Sequence, residues 1–407
     1  MRTHLKTLFI ALTTFFIIDA TQAQTIEKYW EQRIAFDKQY RENYNNQHYD
    51  LALKALENSI LLIDTTTCIS LEEREAIMED IDKDKGDFYY NMACCYALTH
   101  QKQLALKNLK IAIDYGYTNY RNMVDDSDLD FIREEKDFTA LLERIKQYKP
   151  LTVLRNANSY QKENTDSLPS FSYQAADDRN LMAVRSFFNL DSVAGDGDEL
   201  SKIIRILNFA HNSIRHDGNN YALSEFDAID LYNYNKSTGK GINCRHLAIA
   251  LSEMYLSMGI PARYVTCRPK DPRDQDCHVI NCVWSSQLEK WIWIDPTFNA
   301  YVKDENGVFL SIAEVRERLI DGRPLVLNED ANWNNETKQT KEDYLETYMA
   351  KNLYWLNCAT EYCFNPESRY RNTGHKYVAL IPAGFEVYSF VDYITSDVEY
   401  FWQAPEK

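Results

Sequence analysis

Cys244 stands at a position where a cysteine can act as a nucleophile. A turn-forming segment, Gly239–Asn243, leads into it, and apolar residues then recur at helical spacing until Gly259 and Pro261 end the pattern. Unpaired backbone N–H groups and the helix dipole at a helix start stabilise a thiolate and lower its pKa. The sequence therefore predicts that Cys244 is a reactive thiol at the start of a helix.

Three strand-like runs follow this helix, and the last two, His278–Trp284 and Glu289–Asp295, predict a hairpin. A loop formed by Ser285–Leu288 would place His278 directly opposite Asp295. Opposed residues in an antiparallel pair have Cβ atoms about 4.5–5.5 Å apart, so the carboxylate can accept the imidazole N–H and fix its tautomer. A cysteine, a histidine and an aspartate in this arrangement are suited to thiol-based acyl transfer.

The order and spacing of these residues resemble the transglutaminase-like superfamily over about residues 200–300. The matching motifs are Gly241-x2-Cys244-Arg245-x2-Ala248, Met258-Gly259-Ile260-Pro261-Ala262-Arg263-Tyr264-Val265, His278, and Trp291-Ile292-Trp293-Ile294-Asp295-Pro296-Thr297. The resemblance implies an α+β, papain-like core in which the helix bearing the cysteine packs on an antiparallel sheet. It also implies Cys244 as nucleophile, His278 as general base and Asp295 as the group that orients the histidine.

Members of this superfamily include protein cross-linking transamidases, peptidases and peptide N-glycanases. Asn243 stands where cross-linking members often have Gln, and Arg245 where they often have Trp, so hydrolysis is favoured over cross-linking. The Cys-Arg pair resembles exported bacterial members. Asn243 and Trp293 are candidate substrate-binding residues, although Trp291 and Trp293 share a face of the hairpin that is better explained as core.

Other polar residues near these motifs are weaker candidates. His246 lies on another side of the helix from Cys244 and is interpreted as structural. The group His211, His216 and Asp217 either lines the cleft or ends a helix, and the second interpretation is favoured. A zinc site is a further alternative, but its ligands lack two clean pairs at metal-binding spacing; they would be Cys267, Asp276, Cys277, His278 and Cys282. We expect no metal and no cofactor for this chemistry.

Composition limits the function classes further. The chain has 407 residues, 45% of them hydrophobic, and a formal charge of −16, so it should form more than one folded domain and is a poor candidate for binding nucleic acid. At the N-terminus, a basic start, the apolar run Leu8–Ile18 and the small residue Ala23 predict a signal peptide spanning residues 1–23. This run is too short for a membrane span, so we expect an exported, periplasmic or secreted protein without a span after cleavage.

The remaining chain divides into four predicted parts. Residues 24–147 predict an all-α domain, in which the spacing around Ala93 and Ala105 resembles a tetratricopeptide repeat. Such helices either brace a neighbouring domain, which we favour, or bind a protein partner. Residues 148–180 predict a linker, 181–330 the catalytic domain, and 331–407 a C-terminal helix followed by a β extension packed on that domain.

Nine cysteines in an exported chain raise the question of disulfides. If Cys244 is a free nucleophile, eight cysteines remain that could pair. The sequence thus predicts an exported thiol enzyme that cleaves or transfers acyl groups at amide bonds of peptides, proteins or glycopeptides. The alternative is a catalytically degenerate domain that acts with the helices as a protein-binding module.

Overall fold

The protein is represented by a computed structural model that describes residues 20–65, 71–272, 274, 276–387 and 389–406. The apolar run of the predicted signal peptide lies outside these residues, as does Cys68. The chain divides into two compact units at Lys149 and Pro150. In the described part of the chain, no helix has both the length and the hydropathy needed to cross a membrane.

The first unit is entirely helical. Its helices are α1 (Ala20–Asn45), α2 (Tyr49–Thr65), α3 (Leu71–Leu98), α4 (Lys102–Asp114), α5 (Tyr120–Asp125) and α6 (Lys136–Ile145), with short 3-10 turns at Ser127–Ile132 and Lys146–Tyr148. Helices α3 and α4 form the hairpin expected from the sequence, because Ala93, Ala105 and Ala112 are fully buried between them. A Cβ on Gly86 would lie 3.2 Å from the Ala112 carbonyl oxygen, so glycine permits this close approach.

The second unit combines helices with a central sheet. Its helices are α7 (Pro150–Arg155), α8 (Arg179–Phe187), α9 (Leu190–Ala194), α10 (Glu199–Ser213), α11 (Ala228–Thr238), α12 (Cys244–Ser257), α13 (Ile312–Asp321), a π-helix (Glu342–Met349), α14 (Ala350–Asn352) and α15 (Val398–Phe401). Its strands are β1 (Ser172–Tyr173), β2 (Ala262–Arg268), β3 (His278–Ser285), β4 (Lys290–Ile294), β5 (Val302–Lys303), β6 (Val326–Leu327), β7 (Asn332–Trp333), β8 (Thr337–Lys338), β9 (Trp355–Ala359), β10 (Glu361–Tyr362), β11 (Tyr377–Leu380) and β12 (Tyr393–Thr395).

Six strands form the central sheet, in the order β12-β11-β9-β2-β3-β4. Only the β11–β12 pair is parallel among these neighbours. Helix α12 packs on β2 and β3, and its residues from His246 to Ser257 are all buried. Helices α8, α10 and α11 cover the face of α12 that the sheet leaves free. The nucleophile candidate therefore lies at the end of a rigid, central helix.

Two boundaries differ from the sequence-based prediction. The segment expected to be a linker belongs to the second unit, because Leu154 and Phe171 are buried in its core. The C-terminal region is an integral half of the sheet and not an added extension, since it supplies β9, β11 and β12. The C-terminal helix ends at Asn352, and Leu356, shortly after it, pairs with Leu380 and Cys267 in the sheet.

Candidate active site

Cys244 is the first residue of α12 and is partly exposed. Asn243 caps the helix, because its side-chain oxygen accepts the His246 N–H at 2.9 Å. The cap uses one of the free N–H groups of the first turn and leaves the Cys244 amide among those without an intrahelical acceptor. Asn243 therefore fixes the helix start, and its contact with a substrate stays a prediction.

His216 and His278 both act on the Cys244 thiol, and a backbone bridge from His216 to Ile242 holds the first of them beside the segment that leads into Cys244. Burial alone would raise the pKa of the thiol, but the interactions with the two histidines, including the charge of His278, outweigh burial and lower the pKa of Cys244 to about 6. All eight described cysteines are free, and burial raises the pKa of the seven others. Among the described cysteines, Cys244 is thus the one whose thiol ionises near neutral pH.

His278 and Asp295 form a buried pair, with His278 Nε2 2.7 Å from Asp295 Oδ2 and side chains that are 1% and 0% exposed. Burial would lower the pKa of His278, but the Asp295 carboxylate and the Cys244 thiolate raise it above the ordinary value. The lowered pKa of the thiol and the raised pKa of the imidazole favour a thiolate–imidazolium pair.

The hairpin that carries this pair has a different register from the one expected. Ser285 pairs with Lys290, so the loop is Ser286–Glu289 and Asp295 is not directly opposite His278. Ser285 stays in the strand because its hydroxyl and the following amides bind the Glu199 carboxylate, while Glu289 closes the turn at a φ of 51°. The register differs by two residues, which preserves the face of every side chain.

Two tyrosines of the π-helix enclose the histidine and the carboxylate. Tyr344 donates its hydroxyl proton to Asp295 Oδ2 at 2.6 Å, and the Tyr348 ring centroid lies 5.2 Å from that of His278. Trp293 is fully buried and donates its indole N–H to the Tyr344 oxygen at 3.1 Å. Trp293 therefore lies in the core, and its connection to the site is indirect, through Tyr344 and Asp295.

The carboxylate of Asp295 is held on its other side by backbone. Its Oδ1 atom accepts the amide N–H of Thr297 at 2.8 Å and that of Phe298 at 3.4 Å. This turn rests on His211, whose Nδ1 lies 2.9 Å from the Pro296 carbonyl oxygen. His211 therefore supports the turn that carries Asp295.

His216 is a site residue for which the sequence analysis favoured a structural role. A parallel bridge to Ile242 holds it beside the segment that leads into Cys244, and a Cβ on Gly241 would lie 2.6 Å from the His216 carbonyl carbon. Trp333, from a hairpin far along the chain, donates its indole N–H to His216 Nδ1 at 2.9 Å. Glycine at position 241 is therefore needed for the close approach of this segment to the His216 backbone.

Arg245 forms a partly buried ion pair with a residue of the C-terminal region. It makes two hydrogen bonds to the Glu367 carboxylate, at 2.6 and 2.5 Å, and a third to Thr266 Oγ1. Burial raises the pKa of the Glu367 carboxyl, but the guanidinium charge outweighs burial and lowers it. The pair attaches the C-terminal region to the first turn of α12.

Two further observations concern His246 and the candidate metal ligands. His246 is buried against Tyr221 and Phe226, and burial lowers its pKa to about 4, in keeping with the structural role inferred for it. The described residues contain one group with metal-ligating atoms close together, Cys94, Asp126 and Asp128 in the helical unit. Tyrosine hydroxyls already bind both of its carboxylates.

Comparisons with known proteins agree with the class of fold. Residues 188–296, which carry Cys244, His278 and Asp295, match the sequence model of the transglutaminase-like superfamily. A stretch of 55 residues is 40% identical to a curated chloroplastic protein of Arabidopsis thaliana, and covers 14% of this chain and 16% of that relative. The chain thus spans about a sixth of the curated relative's length. No solved structure matches the chain.

Sequence reasoning missed Trp333 and Tyr344, and it favoured a structural role for His216. Each is separated from Cys244 by a long stretch of chain, and none follows a spacing rule relative to it. An indole or a phenol in an amphipathic pattern is most simply explained as core. The contact between these groups and the site depends on how the C-terminal region folds back on the sheet.

Proposed function

We propose that this protein is a thiol enzyme that cleaves or transfers acyl groups at amide bonds of peptides, proteins or glycopeptides, without a cofactor. The observation that carries the proposal is the Cys244 thiol, with its pKa lowered to about 6, beside the buried His278–Asp295 pair. Cys244 attacks the carbonyl carbon, His278 passes its proton to the leaving amine, and Asp295 orients the imidazole.

Hydrolysis is favoured over cross-linking. The residues on either side of Cys244 have structural roles, since Asn243 caps α12 and Arg245 pairs with Glu367. Neither matches what is common in cross-linking members of the superfamily. Release of soluble peptides or sugars from a protein or glycopeptide mixture, without incorporation of a labelled amine, would assign the hydrolytic reaction.

The first test is the reactivity of Cys244 in the full-length protein. Iodoacetamide labelling at about pH 6–7, below an ordinary thiol pKa, should modify Cys244 before Cys277 and Cys363, which are also partly exposed. Cys244→Ser supplies the background. Labelling of Cys244 no faster than of those two thiols would favour the alternative of a non-catalytic binding module.

The helical unit is proposed to brace the enzyme unit, with binding of a protein partner as the second possibility. The support is the α3–α4 hairpin with its small residues at the helix contact, which resembles a tetratricopeptide repeat. Calorimetry of the full chain distinguishes the roles. A brace predicts one cooperative unfolding transition, whereas an independent module predicts two.

Export is the remaining part of the proposal, and it rests on the N-terminal sequence alone. Expression of the full chain in a bacterial host, followed by N-terminal sequencing of the released protein, should give a mature start after Ala23. A chain that keeps residues 1–23 and stays in the cytoplasm would contradict export without affecting the proposed chemistry.

A further inference from the structure

His216 is held by its neighbours at every polar atom except one. Its amide N–H donates to the Asn334 side-chain oxygen at 2.8 Å, and its carbonyl oxygen accepts from the same side chain at 3.0 Å. Its Nδ1 accepts the Trp333 indole N–H at 2.9 Å. Its Nε2 is buried and has no hydrogen-bond partner among the described residues.

The Trp333 contact determines which nitrogen of His216 carries the proton. An indole N–H is only a donor, so the nitrogen it reaches must be the acceptor. The neutral ring then carries its proton on Nε2, whereas a protonated ring would oppose its Nδ1–H to the indole N–H. Because Nδ1 is occupied, Nε2 is the ring nitrogen left to act on the Cys244 site, beside which the bridge to Ile242 holds His216.

The two histidines beside Cys244 are therefore chemically different. His278 is paired with a carboxylate and can take up and release a proton. His216 is paired with a donor and can only offer an N–H to the site. A buried donor without an acceptor lowers the stability of the folded protein. Such a donor can nevertheless stabilise a charge that appears during the reaction.

We propose that His216 is a catalytic residue that donates its Nε2–H to the oxyanion formed when Cys244 attacks a carbonyl, and that Trp333 is the positioning residue that fixes its tautomer. The inference rests on the proposed thiol chemistry and supplies the second oxyanion donor beside the Cys244 amide. It assigns proton transfer to His278 alone.

Atoms and electrons balance in this step. The Cys244 sulfur forms a bond to the carbonyl carbon, and the carbonyl electron pair moves onto oxygen. The Cys244 N–H and His216 Nε2–H donate hydrogen bonds to this oxygen and keep their protons. The pair returns as the C–N bond breaks, and His278 gives its proton to the leaving amine.

The test compares two reactions of the same sulfur in the full chain. Iodoacetamide alkylates a thiolate by displacement without an oxyanion, whereas p-nitrophenyl acetate acylates it through one. Both are measured at about pH 9.5, where even an ordinary thiol is largely ionised. His216→Ala should lower acylation about 10²–10³-fold, the usual effect of losing one oxyanion donor, and leave alkylation within about threefold.

Two further variants separate catalysis from structure. His216→Gln keeps an N–H donor and should recover acylation at least about tenfold over His216→Ala. Trp333→Phe should lower acylation severalfold with alkylation unchanged, because the ring is then free to place its proton on either nitrogen. The exposed His48→Ala should change neither rate.

The outcomes distinguish a failure of the proposed function from a failure of the role of His216. If the wild type is acylated no faster than a free small thiol, the proposed function fails and the inference with it. If the wild type is acylated and His216→Ala matches it, or if both of its rates fall together, the proposed function stands and the role of His216 is refuted. If Trp333→Phe changes neither rate, the tautomer role of Trp333 is refuted.

Discussion

The Asp295→Asn variant provides the sharpest test of the charge state of the site. In the wild type, the Thr297 and Phe298 amides bind one carboxylate oxygen and His278 faces the other. An asparagine carries no charge, so it cannot stabilise the imidazolium of His278 as the carboxylate does. The neutral ring is then favoured, and the cation that stabilises the Cys244 thiolate is lost.

The size of the effect follows from the pKa of Cys244, which is about 6. At pH 6 about half of the thiol is ionised, against about 0.3% for an ordinary thiol of pKa ~8.5. A thiolate of lower pKa is intrinsically less nucleophilic, here by about tenfold. Wild-type Cys244 should therefore be alkylated roughly tenfold faster than an ordinary thiol at pH 6.

The assay is the rate of iodoacetamide labelling of Cys244 between pH 5 and 10, read by mass spectrometry. The wild-type rate should fall as pH drops below about 6, where the thiolate is protonated. In Asp295→Asn the fall should begin below about pH 8.5, so the variant is slower at pH 6 and faster at high pH, and the two profiles cross. The exposed Asp191→Asn should follow the wild type. The same inflection in Asp295→Asn and the wild type would refute the reasoning.

Three further substitutions test the supports of the site. Glu367→Gln removes the charge from a largely buried bidentate pair and should lower the free energy of unfolding by about 3 kcal/mol in urea titration. Glu399→Gln, in an exposed pair, should leave the free energy of unfolding unchanged. Equal stabilities of the two variants would contradict a stabilising role for the Arg245–Glu367 pair. Gly241→Ala would place a Cβ 2.6 Å from the His216 carbonyl carbon and should lower acylation about 10²-fold. An unchanged rate would show that this close approach does not position His216. Tyr344→Phe should slow acylation severalfold and leave the midpoint of thermal unfolding within a few degrees of the wild type. An unchanged acylation rate would show that the Tyr344 hydroxyl does not orient the Asp295 carboxylate.

The local features of the site could be predicted from the sequence. The turn before Cys244, the helix after it and its end at Gly259 are properties of short segments, because capping and helical periodicity depend on residues a few positions apart. The hairpin of β3 and β4 was also predictable, and it brings His278 beside Asp295. Its register was not, since Glu199 from another helix binds the loop.

The sequence by itself determined the nucleophile candidate, its helix and the strands of its partners, because local hydrogen bonding and patterning specify them. Only the tertiary structure decided which rings surround the thiol. His216 reaches the site through its bridge to Ile242, Trp333 through its hydrogen bond to His216, and Tyr344 through its hydrogen bond to Asp295. Such contacts depend on shape and burial across the whole unit, for which a linear spacing carries no signal.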